Sequence, residues 1–290
     1  MTILVAGASG TTGAEVVAQL VAAGVPVRAM SRSAEKAEAL RAPGVEPVVA
    51  RFDDPASLAA AVDGVDAAYV VTGAAPDMAA TEGALAHAAA HAGVHLVKLS
   101  VVGASADAPL RFGVVHAEAE AAIAAAGGSF TFVRPNGFMQ NDLAWAAQIP
   151  SGTIAGPVMD AAWAIVDVRD VAAVAVAALR DPAAHAGATI TVTGPAARTP
   201  RERVAALAEV LGVELATVDV PIPAFKEQLR GFGIPEWTVE GLGELFALYA
   251  EDRDLLPPHD KRYDDYSLSK LRGRVADALD KADALSARAA

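Results

Sequence analysis

Cysteine is missing from all 290 residues. That excludes a disulfide framework, a thiolate metal site and a cysteine nucleophile, and it fits a reducing compartment. A basic patch is missing too. The net charge is −12 and the arginines and lysines are scattered, which argues against a reader of nucleic acid. Any bound phosphate must then be held by specific local groups. No segment is apolar for the length of a membrane span. The opening residues Met1-Thr2-Ile3-Leu4-Val5-Ala6-Gly7 carry no basic stretch, and a glycine ends the apolar run. They read as a strand and not as a leader. The expectation is a cytoplasmic protein without nucleic-acid or membrane partners.

What is present is a hydrophobic fraction of 53%, much of it alanine. Short β-like runs at 2–6, 26–30, 45–50, 67–71, 95–99 and 130–134 alternate with stretches of helical period at 11–23, 34–41, 55–62, 77–92 and 114–126. Such alternation predicts a parallel sheet with helices on both faces. The strands lack apolar/polar alternation, as strands covered on both faces do. The fold class is therefore α/β, a Rossmann-type doubly wound parallel sheet. Beyond Arg134 the pattern loosens, with helices predicted at 137–147, 171–179 and 200–211 and a strand at 189–193. The expected division is a nucleotide-binding domain at 1–150, with 164–194 returning to the sheet, and a smaller, mainly helical C-terminal substrate lobe at 195–290. The last twenty residues form an amphipathic pattern suited to a surface or a homodimer interface.

Between the first strand and first helix stands Gly7-Ala8-Ser9-Gly10-Thr11-Thr12-Gly13. Gly7 permits a tight turn, Gly10 lets a pyrophosphate approach the backbone, and Gly13 lets the helix pack closely. The helix N-terminus offers free N–H groups to the anion. Ser9, Thr11 and Thr12 can add hydroxyl donors. The second strand should end at the adenosine ribose, where an acidic residue suits NAD and an arginine suits NADP. Here the chain reads Met30-Ser31-Arg32-Ser33, with no acid until Glu35. Arg32 can fork onto a 2′-phosphate, helped by Ser31 or Ser33 and by Lys36. The expected cofactor is NADP(H). In Arg51-Phe52-Asp53-Asp54-Pro55, Phe52 and Asp53 are placed to meet adenine, and Asp54 should cap the next helix with Pro55 at its first position.

These pieces resemble the NmrA-like atypical short-chain dehydrogenase/reductases. So do Val97-Lys98-Leu99-Ser100, His116-Ala117-Glu118-Ala119-Glu120 and the run from Phe132 through Arg134-Pro135-Asn136-Gly137-Phe138-Met139-Gln140-Asn141. The resemblance covers about residues 1–212 well and the tail weakly. It implies fold and cofactor more firmly than reaction, since the family holds quinone and dye reductases as well as non-catalytic redox sensors. By the resemblance, Thr72 and Gly73 lie along the diphosphate and ribose, and Ser100 lies near the nicotinamide. Pro135 and Asn136, with Gly137 and Phe138, line the nicotinamide and substrate pocket. Phe138, Met139 and Trp145 follow the sixth strand and are the expected substrate-pocket residues.

The helix that would carry the Tyr-x-x-x-Lys pair of typical short-chain dehydrogenases does not contain it. His116 stands at the Tyr position and Glu120 at the Lys position. Glu120 would accept from ribose hydroxyls and raise the His116 pKa, making His116 a proton donor near neutral pH. A structural pair on a packed helix is the alternative. Acceptors needing little acid help, such as quinones, cationic dyes and conjugated enones, are then favoured as the small-molecule substrate. A non-catalytic NADP(H) sensor and a biosynthetic tailoring enzyme on the same scaffold are the other readings. His87 and His91 are four apart, but no third ligand supports a metal. The tail aromatics Trp237, Phe246, Tyr249 and Tyr266 read as core, and Asp252-Arg253-Asp254 as a solvated turn.

Overall fold

Strands and helices alternate from the first residues, as the spacing of apolar runs requires. The computed structural model describes residues 1–251. The terminal amphipathic stretch, Tyr266 and the Asp252-Arg253-Asp254 turn lie outside the described residues. In chain order come β1 (Ile3–Ala6), α1 (Thr11–Ala22), β2 (Val27–Ser31), α2 (Ala34–Glu38), β3 (Val45–Val49), α3 (Pro55–Val62) and β4 (Ala67–Val70). Next are α4 (Met78–Ala92), β5 (His95–Leu99), α5 (Arg111–Ala125) and β6 (Phe130–Pro135). Two 3₁₀ stretches, Met139–Ala147 and Ile149–Ser151, lead to β7 (Thr153–Gly156). Then follow α6 (Val168–Arg180), α7 (Pro182–His185), β8 (Thr189–Val192), α8 (Pro200–Leu211), β9 (Ala216–Asp219), α9 (Ile222–Gly231) and α10 (Glu236–Glu251).

One unit comprises Met1–Pro135 and Val168–Val192. Its seven strands form a sheet in the order β3-β2-β1-β4-β5-β6-β8, with every pairing parallel. The chain steps outward through β2 and β3, then returns to the other side of β1 as β4. That reversal opens a crevice at the carboxyl ends of β1 and β4, where open α/β sheets bind ligands. Every residue of β1 and β4 is buried. Leu4, Leu58, Ala68, Val70, Leu85 and Leu96 form the centre of one core cluster. Burying each leucine contributes about 1.5–3 kcal/mol, which is what fixes the sheet under the crevice. Local chemistry places the helices: Asp54 accepts from the Ala56 and Ser57 N–H groups at the start of α3, with Pro55 in its first turn.

At the buried start of β5, His95 is held by two hydroxyls. Thr131 donates to the His185 carbonyl at 2.7 Å, so its oxygen accepts from His95 Nε2–H at 3.0 Å. Nδ1 then accepts from Ser129 at 2.7 Å. Both ring nitrogens are spent on protein hydroxyls.

The second unit holds Asn136–Asp167 and the described residues from Thr193 onward. Residues 136–150, expected in the first domain, therefore belong here. The helix expected over 137–147 is a 3₁₀ stretch beginning at Met139, and Asn136 Oδ1 accepts from the Gly137 N–H just before it. β7 and β9 pair in parallel, a small sheet within a lobe expected to be mainly helical. Its strands have four residues each and β9 is mostly exposed, so no apolar run announced it. α8 spans the predicted residues, started by a capping box between Thr199 and Glu202. Within this unit Arg203 forks onto buried Asp142 at 2.8 and 3.2 Å. Its guanidinium lies 4.8 Å from the Trp163 ring centre and 5.5 Å from that of Trp145. Trp163 stacks on Tyr249 at 4.5 Å.

Candidate functional site

The turn after β1 is shaped by its glycines for three different reasons. Gly7 has φ +91°, and a Cβ there would overlap the Val71 carbonyl at the end of β4. Gly13 faces back onto the turn, where a Cβ would overlap the Gly7 carbonyl oxygen and lie 2.7 Å from its carbon. Both are needed for the turn itself. Gly10 differs: a Cβ there meets only the Gly7 oxygen, at 3.3 Å, and otherwise enters open space. Gly10 is also the N-cap of α1 and supplies no side chain to its N–H groups. The result is an open cradle with unsatisfied donors, the arrangement that binds a diphosphate.

A cavity of about 730 Å³ adjoins this turn. Of the expected cofactor residues, Gly7, Ser9, Arg32, Asp53, Thr72 and Gly73 line it. Arg51, Asp77, Met78 and Thr81 line it as well and were not foreseen. Arg51 forks onto Asp53 at 2.9 and 2.7 Å, and this bond holds the Asp53 carboxyl below its ordinary range. Arg32 and Lys36, both exposed, have no carboxylate partner among the described residues. They are the cations left to meet a phosphate. Ser33 caps α2 by accepting from Lys36 N–H at 3.3 Å, which leaves its own proton free to donate.

Three expectations for this region need correction. Thr12 is buried, so its hydroxyl does not join those of Ser9 and Thr11, both exposed, at the surface of the turn. Thr72 donates to Glu82 Oε1 at 2.8 Å. With its proton spent there, Thr72 can accept from a ribose hydroxyl but not donate to a diphosphate. Glu120 is buried and bonded through both oxygens to Arg134, 2.9 Å away at Nε. It is a structural anchor between α5 and β6 and offers nothing to a ribose.

Beneath the cavity lies a polar network that sequence reading missed. Lys98 on β5 and Glu82 on α4 are both fully buried and form an ion pair. Lys98 Nζ also donates to the Leu99 carbonyl at 3.2 Å and stands 3.5 Å from His116 Nδ1. His116, half-buried on α5, is therefore governed by Lys98 and not by Glu120. Burial, aided by the Lys98 ammonium, pushes its pKa down to about 3. That reverses the upward shift expected from Glu120 and removes the proton-donor role near neutral pH. The available signal was Lys98 itself, a charge inside the apolar run His95-Leu96-Val97-Lys98-Leu99, since a fully buried lysine requires a partner. Ser100, just past β5, is buried with no partner for its hydroxyl among the described residues, as a residue waiting for a ligand would be. Pro135 ends β6, its carbonyl accepting from Val102 N–H at 2.9 Å.

In the second unit, Asn136 is buried and its Nδ2 lacks a partner among the described residues. Phe138 is half-buried. Met139 and Trp145, the expected substrate-pocket residues, pack within this unit. Met139 is buried in a core cluster with Trp163, Ile165 and Tyr249. Trp145 packs against the same cluster and carries Arg203 on its ring. Tyr249 and Phe246 are core residues, as their helical spacing suggested.

Histidine burial has a pH consequence. His95 and His116 both titrate below their ordinary value of 6.5, chiefly through burial. A depressed folded pKa contributes stability that is complete above the unfolded pKa and is lost as pH falls. Between pH ~7 and pH ~5, His116 can remove up to about 2 kcal/mol, before most carboxylates titrate, and His95 adds a loss of the same sign. Urea unfolding should show this loss, and His116→Gln should reduce its slope with pH. An unchanged slope would mean that His116 titrates normally in the folded chain.

Among the described residues no helix is long and apolar enough to cross a membrane. Comparison with known proteins agrees with the architecture. The chain is 38% identical over 252 residues to an NAD(P)H azoreductase from Xenophilus azovorans, covering 86% of this chain and 88% of that protein. It is 43% identical over 232 residues to a (4-alkanoyl-5-oxo-2,5-dihydrofuran-3-yl)methyl phosphate reductase from Streptomyces griseus subsp. griseus, covering 78% and 80%. A crystal structure of an NADPH-dependent quinone oxidoreductase from Escherichia coli, complexed with NADPH, superimposes with a TM-score of 0.77 at 26% identity, over 97% of this chain and 99% of that one. The NmrA-like family model matches residues 1–284, and with the glycine turn and seven-stranded sheet in place, the chain belongs to that family.

Proposed function

We propose that this chain is an NADP(H)-dependent reductase acting on a small conjugated acceptor of quinone, dye or enone type. The observation that carries the cofactor is the cavity beside the open Gly10 cradle, with Arg32 and Lys36 at its edge and without a carboxylate partner among the described residues. The α1 N–H groups and Ser9 take the diphosphate. Arg32, with Lys36, takes the 2′-phosphate, Phe52 and Asp53 flank the adenine, and Thr72 accepts from a ribose hydroxyl. The orphan hydroxyl of Ser100 is available at the nicotinamide end. When bound, NADPH supplies the hydride.

The acceptor class follows from what α5 lacks and from what the chain's relatives are named for. Helix α5 carries no Tyr-x-x-x-Lys pair, and His116 is held neutral, so strong acid assistance from this helix is unavailable. Azo groups, quinones and unsaturated oxofurans take up hydride into delocalised systems, where orientation does much of the work. A cytoplasmic setting and a homodimer accompany this reading as expectations. Stopped-flow oxidation of NADPH by quinones, azo dyes and enones tests it. Tight NADPH binding with no turnover of any acceptor would favour the sensor reading instead.

Cofactor preference supplies a separate check. Native protein should bind NADPH at least about tenfold more tightly than NADH, since a charge-assisted phosphate bond contributes about 1.5–3 kcal/mol. Arg32→Ala should lose most of that preference and keep its NADH affinity. Equal affinities in the native chain would remove Arg32 from the phosphate site.

A further inference from the structure

We propose that Lys98 is a positioning residue that locks His116 as the neutral tautomer protonated at Nε2. His116 then presents a fixed hydrogen-bond donor toward substrate in place of a transferable proton. That last step rests on the reductase reading above; the lock does not.

The polarity of the contact carries the inference. An ammonium has three protons and no lone pair. Lys98 shares these protons among Glu82 Oε2, the Leu99 carbonyl, His116 Nδ1 at 3.5 Å and the weak acceptor Met78 Sδ at 3.8 Å. Whichever proton is nearest His116, the ammonium offers Nδ1 no acceptor. Nδ1 can only accept, so the single proton of neutral imidazole sits on Nε2. Protonation at both nitrogens would turn an N–H toward the ammonium. Glu82 holds Lys98 in place and is itself fixed by Thr72, so the network runs from the cofactor cavity to His116. The charged and titratable groups on the surrounding elements are Lys98 and His95 on β5, Glu82, His87 and His91 on α4, Arg111, Glu118 and Glu120 on α5, and Arg134 on β6. Glu120 and Arg134 are spent on each other, and the charge that acts on His116 is Lys98. A neutral imidazole donor can polarise an oxygen without losing its proton, and its action is then independent of pH over the neutral range.

The test is ¹⁵N NMR of histidine-labelled full-length protein, with the His116 signals assigned by their loss in His116→Gln. Expected in the native chain are a non-protonated Nδ1 and a protonated Nε2, unchanged from about pH 5 to about pH 8. The double variant Lys98→Met/Glu82→Gln removes both charges and avoids leaving one buried alone. There the tautomer preference should fall and the imidazole should titrate at a higher pH. A protonated Nδ1 in the native chain, or unchanged His116 signals in the double variant, would overturn the lock. NADPH oxidation by a quinone is the parallel readout: flat with pH over this range in the native chain, falling at the acid end in the variant. A shift in the NMR signals with flat rates in both proteins would retain the lock and reject only the role of His116 toward substrate.

Discussion

Gly10→Val should weaken NADPH binding by ~100-fold or more, the equivalent of about 2.7 kcal/mol, while the chain still folds. The three glycines of the turn differ in what surrounds them. A Cβ at Gly7 or Gly13 overlaps backbone, on Val71 or on Gly7, and backbone cannot step aside cheaply. Gly7→Val and Gly13→Val should therefore fail through the fold. At Gly10 the backbone is extended, with φ −80°, which valine tolerates. Its Cβ needs a shift of only a few tenths of an ångström against the Gly7 oxygen. Loss of a favoured N-cap adds about 1 kcal/mol. What the valine side chain fills is the open cradle before the α1 N–H groups. Calorimetric titration with NADPH beside thermal unfolding separates the cases. Native affinity in Gly10→Val would place the diphosphate elsewhere.

The parts of this molecule that could be read in advance are those written in neighbouring residues. Apolar runs marked the strands of the large sheet, and Asp54-Pro55 marked the start of α3 with its cap. Arg32 stood out because the residue expected after β2 in an NAD site was absent. What escaped was nonlocal. Lys98 and Glu82 are 16 positions apart on different elements, and neither sits in a motif. Glu120 looked like a partner for His116 because four residues make one helical turn, but Arg134 on the adjacent strand claims it. The family pattern marked Arg134 without telling what it held. The position of Met139 and Trp145 after β6 marked them as expected pocket residues without telling what they pack against. The second unit folds through the buried Asp142–Arg203 pair, 61 positions apart, and that pairing draws both toward its core. Short, exposed β9 had too little apolar content to register as a strand.

Removing one side of the buried Lys98–Glu82 pair should produce the largest stability losses outside the glycines. Lys98→Met keeps the length of the side chain and deletes the charge, leaving the Glu82 carboxylate buried with Thr72 as its remaining donor. Breaking a buried pair in this way costs about 3–5 kcal/mol. Glu82→Gln leaves an ammonium buried without its counter-ion and should cost a similar amount. The sign of the pH dependence distinguishes them. In Lys98→Met, the stranded carboxyl should have a raised folded pKa. It binds more protons folded than unfolded, so the variant loses stability as pH rises. In Glu82→Gln, the stranded lysine should have a lowered folded pKa. It binds fewer protons folded than unfolded, so this variant gains stability as pH rises. The double variant, with neither charge, should recover most of the loss, because two neutral groups incur no ionic desolvation. Urea unfolding of the three variants and the native chain from about pH 5 to about pH 8 measures all of this. Parallel slopes in the two single variants, or a double variant less stable than either, would show that Lys98 and Glu82 do not act as an ion pair.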